Sequence, residues 1–114
     1  MIESYSFGRM RVAGREYGSD LIIFPTGRVR ASWWRRSGHQ LVLDDIEDIV
    51  AEVPEVLVVG TGASGLLRPA AGLAELLARQ GIEMLARPTA GAVDSFNRLL
   101  EQQKRVGGCF HLTC

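Results

Sequence analysis

The spacing of hydrophobic positions changes along this chain, and the change divides it. Up to about residue 40 the spacing is close to two. "YSFGRMRV" alternates around a glycine, which predicts a strand with a tight turn or bulge. "SDLIIFP" is a short apolar run stopped by Pro25, "PTG" turns the chain, and "RVRASWW" alternates Arg with Val, Ala and Trp. A hairpin is therefore expected from Leu21 to Trp34. Trp33 and Trp34 are adjacent. On a strand they would face opposite sides, one into the core and one outward.

Beyond residue 40 helical and strand spacings take turns. "LDDIEDIVAEVPE" opens with acids, which suit the positive end of a helix. It places Ile46, Ile49, Val50 and Val53 on one face before Pro54 ends it. "EVLVVG" is a continuous β-branched run, the pattern of a strand buried on both faces. Pro69 is expected to start the next helix, "PAAGLAELLARQ", with Gly81 as its C-terminal cap. "IEMLA" reads as a strand. Thr89 is expected to cap a helix running to Gln103, with Val93, Phe96, Asn97 and Leu100 on one face. "RVGGCFHLTC" closes the chain as a strand. The order β-β-β-α-β-α-β-α-β predicts an α/β fold. It would be a three-layer sandwich with a mixed central β-sheet and an N-terminal β-rich part. One domain over residues 1–114 suits this length.

Composition narrows the classes of function. The formal net charge is zero, which argues against a protein built to hold nucleic acid. The charge is uneven: residues 1–40 carry seven Arg against three acids, and residues 41–114 carry six Lys or Arg against ten acids. A basic face in the first third leaves nucleic-acid binding as a third reading, behind the two given below. No apolar run is long enough to span a membrane, and "MIESYSFGRM" has no signal-peptide pattern. A cytoplasmic location follows as an expectation. Two cysteines, Cys109 and Cys114, are too few for a disulfide framework.

The segment Gly60-Thr61-Gly62-Ala63-Ser64-Gly65 spells G-x-G-x-x-G after a strand. A dinucleotide fingerprint also needs a helix that starts within the motif and an acid at the end of the next strand. Here "LLR" separates the last glycine from Pro69, and Glu83 lies early in its strand. The loop therefore reads as a turn, or as a small-anion site built from backbone N–H groups with Thr61 and Ser64 hydroxyls and Arg68 nearby. No Gly-Lys-Ser/Thr follows, so it is not a phosphate-binding P-loop. "GASGL" misses the nucleophile elbow because Leu66 replaces the last glycine; a Ser64 nucleophile would need His39 or His111 as base and an orienting acid. In "CFHLTC" strand parity puts Cys109 and His111 on one face and Cys114 on the other, which disfavours a zinc site or a redox pair. Asn97, on an apolar helix face, must find partners, for which a loop backbone is the expected source.

Several of these segments together resemble a known family. "EVLVVGTG", "GIEMLARPTAGAVDSFNRLL", "RVGGCFHLTC" and the earlier "YSFGRMRVAGREYGSDLIIFPTGRV" look like the adipogenesis-associated domain proteins and their bacterial and archaeal relatives. The mitochondrial complex I assembly factor 3 proteins are more distant members. The resemblance covers nearly the whole chain, and the matching motif positions are Gly60, Thr61, Gly62, Thr89, Ala92 and Asn97. It implies a three-layer α/β domain and no established activity, cofactor or catalytic residue.

Two functions are weighed. The first is a small non-catalytic interaction, assembly or regulatory module. Trp33, Trp34, Arg35 and Arg36 would be its partner surface, the partner a protein and homo-oligomerisation open, with no nucleic acid, membrane, metal or cofactor expected. The second is a small-molecule or anion-binding protein, an enzyme among the possibilities. It would use Gly60, Thr61, Gly62 and Ser64, with Thr89 and Asn97 lining the same cleft.

Overall fold

The computed structural model describes residues 1–114. Its strands are β1 (Ile2–Ser6), β2 (Arg9–Val12), β3 (Arg15–Tyr17), β4 (Leu21–Ile23), β5 (Val29–Ala31), β6 (Gln40–Leu41), β7 (Val56–Thr61), β8 (Arg68–Pro69), β9 (Glu83–Arg87) and β10 (Val106–His111). Its helices are α1 (Glu47–Ala51), α2 (Leu73–Ala78) and α3 (Thr89–Glu101), with a 3-10 turn over Leu43–Ile46 before α1. The central sheet has the order β5-β4-β10-β7-β9. β7 runs parallel to β10 and β9, whereas β4 is antiparallel to β10 and β5. The sheet is mixed, as the alternation of elements predicts.

Every residue of β7 and β10 is buried, which is why both segments lack polar alternation. Successive residues feed two cores. Leu57, Val59, Ile22 and Cys109 pack with Ile46, Ile49, Leu73 and Leu77 of the turn and helices on one face. Val58, Ile23 and Phe110 pack with Ala92, Val93 and Phe96 of α3, and with Ile2, Met10 and Val12 of the N-terminal strands, on the other. Phe96 and Phe110 meet edge to face, with centroids 5.6 Å apart. The N-terminal β-rich part is the separate meander β1-β2-β3, and it covers the sheet together with α3.

Four local expectations are corrected. The helix expected from Leu43 is broken into the 3-10 turn and the short α1. Val53 leaves it with a positive φ of 46° and an exposed side chain. Asp45 bends the approach by accepting the backbone N–H groups of Val42 and Arg36. Pro69 does not start α2, which begins at Leu73 after Gly72 in the N-cap. Instead Pro69 sits in β8, parallel to β6. There the N–H groups of Arg68 and Ala70 donate to His39 and Leu41, and the residue between them needs no donor. The hairpin's pairing ends at Ala31, and Ser32 turns with φ 57°, so Trp33 and Trp34 lie beyond the strand. Thr89 is the first residue of α3 and not its cap, a position held by Pro88.

Candidate functional site

The C-terminal ends of β7 and β10 lie side by side, with His111 opposite Thr61. Ligands of α/β sheets gather at such ends. The glycine loop leaves β7 here, and its amides are engaged. Ala63 N–H donates to the Thr113 carbonyl at 2.9 Å, and Ser64 and Leu66 N–H both donate to the Cys114 carbonyl at 3.3 Å. Gly62 N–H donates to Thr89 Oγ1 at 2.9 Å, and that buried hydroxyl donates onward to the His111 carbonyl at 2.6 Å. The donors that an anion would need are thus taken by Thr113, Cys114 and Thr89. The loop, α3 and the end of β10 are tied into one unit by Thr89.

Gly60, Thr61, Gly62 and Thr89 are brought together in this way, and Ser64 lies on the exposed side of the same loop. Asn97 is not part of the group. Its Oδ1 accepts the Ile2 N–H at 2.9 Å and its Nδ2 donates to the Ile2 carbonyl at 2.7 Å. It pins β1 to α3, so the expectation that Asn97 shares a cleft with Thr89 is corrected. Asn97→Ala is expected to cost about 1–2 kcal/mol through the two lost bonds, read as a lower urea midpoint. A wild-type midpoint would mean that packing alone holds β1.

A second group lies on the opposite face of β10 from Phe110. His111 Nδ1 stands 2.8 Å from Asp20 Oδ2, and Arg35 Nη1 stands 2.9 Å from the same oxygen. Asp20 Oδ1 accepts the Leu112 N–H at 2.7 Å. The side chains of Arg35, His111 and Asp20 are only 7%, 9% and 17% exposed. Arg35 Nη2 also stands 3.2 Å from Nδ1; the shorter contact is to the carboxylate, an acceptor only, which is satisfied when Nδ1 carries the proton, and Nε2 is then the free nitrogen of a neutral imidazole. Arg35 Nη1 is held by its ion pair with Asp20, and two buried nitrogens of this cluster have no partner: Arg35 Nε and His111 Nε2.

The cluster is held from below. The Arg35 guanidinium stacks on Trp33, 4.6 Å from the ring centroid. Trp33 itself is buried and fixed by Nε1–H to the Asp45 carbonyl and by its N–H to the Asp20 carbonyl, both at 2.9 Å. Cys109 lies in the same core; burial pushes its thiol up to about 12, with Arg35 lowering it and Asp45 raising it to lesser extents. It is a neutral core side chain, whereas Cys114 is exposed. Above the cluster opens a cavity of about 520 Å³ whose lining includes Asp20, Ser32, Trp33, Trp34, Arg35 and His111.

The four-residue surface expected at 33–36 is therefore divided. Trp34 is 84% exposed, and Arg36 is 76% exposed and paired with Asp44 at 2.9 Å. Trp33 and Arg35 point inward, because Asp20 offers Arg35 a buried counter-charge. Asp20 is not among the residues that the sequence motifs single out. Its signal was an acid directly before the fully apolar "LIIF", where a charge needs a partner. Asp20 is the orienting acid that His111, a candidate base or ligand from its place in the sequence, meets in the fold.

The sequence family described as "Protein of unknown function (DUF498/DUF598)" matches residues 2–111. Among solved structures, the chain is similar to a protein designated MT938 at 25% identity and a TM-score of 0.84, covering 100% of this chain and 98% of that one. It is similar to a conserved hypothetical protein from Pyrococcus horikoshii OT3 at 29% identity and a TM-score of 0.80, covering 100% and 99%. A third similar structure is an outer membrane protein from Bartonella henselae, at 28% identity and a TM-score of 0.81, covering 99% and 94%.

Proposed function

The chain belongs to the DUF498/DUF598 family of unknown function, in line with the resemblance carried by its "EVLVVGTG" and "HLTC" segments, and on that footing we propose that it is a non-catalytic interaction module. Its contact surface is the corner formed by Trp34 and Arg36. The observation that carries the reading is an indole left 84% exposed on a segment anchored on both sides. Trp33 is hydrogen-bonded into the core, and Arg35 is ion-paired with Asp20. A tryptophan this exposed on an anchored segment suits the centre of an interface.

The same end of the molecule carries further exposed apolar groups, Phe7 and Leu66. Leu66 bonds the Cys114 carbonyl, and Gly8, next to Phe7, bonds the Leu112 carbonyl. The fitting partner is a protein that presents an apolar side chain to the indole and a carboxylate to Arg36. The exposed Arg36–Asp44 pair is weak enough to exchange for such a group. No helix is long and apolar enough to cross a membrane, and the two free cysteines suit a reducing compartment, in which we place the protein as a cytoplasmic one.

The test is capture of the partner by the wild-type protein, followed by titration of the purified pair. Trp34→Ala is expected to weaken binding by about 30-fold, the effect of a 2 kcal/mol interface anchor, while the melting temperature stays near wild type. Equal affinity of the variant would remove this corner from the interface.

A further inference from the structure

We propose that the cavity beneath Trp34 is a binding site for a small monocarboxylate, with Arg35 and His111 as its donors. Buried polar groups in folded proteins nearly always have partners. Here two nitrogens without one, Arg35 Nε and His111 Nε2, fall on two side chains in mutual contact. Both side chains are more than nine-tenths buried, and both line the same cavity of about 520 Å³. The residues around them do not meet this need. Asp20 is the acid beside them, and its two oxygens already serve the Leu112 N–H, His111 Nδ1 and the Arg35 charge.

Charge selects the ligand class. With His111 neutral, the Asp20–Arg35 pair is balanced. If His111 takes up a proton on Nε2, that nitrogen joins Arg35 Nε as an unpartnered donor and the cluster gains one positive charge. One ligand carboxylate then restores neutrality, whereas a phosphate dianion would leave a buried excess of negative charge, which is strongly unfavourable. The groups facing the imidazole are Asp20 and Arg35. Nearby Tyr5, its ionisation raised by burial and then by Asp20, and the Cys109 thiol, raised to about 12, add no charge near neutral pH.

The rest of the cavity favours a carboxylate with an apolar or planar body. Trp33 and Trp34 supply aromatic wall, and the volume exceeds that of a bare acetate. The donors are covered by the cavity wall, so access requires a side-chain movement, and the exposed Trp34 is the free group at the rim. The site is independent of the glycine loop, whose amides are taken by Thr113, Cys114 and Thr89.

The experiment uses benzoate as the probe and benzamide, its uncharged isostere, as control, on the whole chain with labelled histidine nitrogens. Saturating benzoate is expected to move the His111 Nε2 resonance from the unprotonated to the protonated range and to raise the melting temperature. Benzamide should do neither. The paired variant Asp20→Asn with Arg35→Met, which keeps the cluster's charge balance, should lose the response to benzoate by at least tenfold in affinity while remaining folded. A flat His111 signal with benzoate, an equal response to benzamide, or full binding by the paired variant would each overturn the assignment. Arg36→Glu should weaken the protein partner and leave the benzoate response unchanged, so this site and the proposed interface fail separately.

Discussion

Replacing Asp20 with alanine is expected to lower the unfolding free energy by about 3–5 kcal/mol, the usual consequence of stranding a buried charge. The Arg35 side chain is 7% exposed and Asp20 supplies its counter-charge, so the variant leaves a guanidinium in the core with no carboxylate. It also removes the acceptor of the Leu112 N–H and of His111 Nδ1. At this size the loss corresponds to a fall in melting temperature on the order of 15 °C or more. The double variant Asp20→Ala with Arg35→Met should recover part of it, because the unpaired charge goes too. A single variant within about 1 kcal/mol of wild type by urea denaturation would show that the pair is hydrated and its burial unimportant.

Gly62→Ala is the second large effect. Gly62 has φ +106°, a region that side chains rarely adopt, and a Cβ there would lie 2.6 Å from the Thr113 carbonyl oxygen. Conformational strain and backbone collision together are expected to cost about 2–4 kcal/mol, with the urea midpoint falling and the m-value unchanged. Gly65→Ala is the matched comparison. Its φ is +70°, yet its nearest neighbour to a new Cβ is Pro88 Cγ at 3.4 Å, so only the backbone term of about 1 kcal/mol applies. Equal losses at the two positions would mean that the approach of the Thr113–Cys114 segment is not what requires glycine at 62. The strand-end glycines then serve the turn alone.

The architecture was legible where burial imposes a period on the chain. "EVLVV" and "RVGGCFH" are apolar at successive positions because both faces of β7 and β10 are covered. The stripe through Val93 and Phe96 placed α3 against the sheet. The short elements were less legible. Nothing local to Pro69 distinguishes the first turn of a helix from a strand that needs no donor; its pairing partner, Leu41, lies far away in the chain. The break in the helix expected from Leu43 depends on Asp45 accepting the N–H of Arg36, also a contact between segments.

The site divides along the same line. Which residues carry polar chemistry on apolar elements is visible in the order of amino acids alone. Thr89, Asn97, His111 and the 60–65 glycines all stand out against hydrophobic runs, and the Trp-Trp-Arg-Arg segment stands out as too apolar and too charged for an ordinary turn. What each one meets depends on the folded chain. It gave the loop's amides to the Thr113–Cys114 segment, Asn97 to Ile2, and Arg35 and His111 to an Asp20 more than ninety residues away from His111. The difference is one of range. Hydrophobic periodicity is a local consequence of which face is buried, and the chain displays it directly. A hydrogen bond or ion pair is chosen among all donors and acceptors that folding brings within about 3 Å, and that set exists only once the strands are in register.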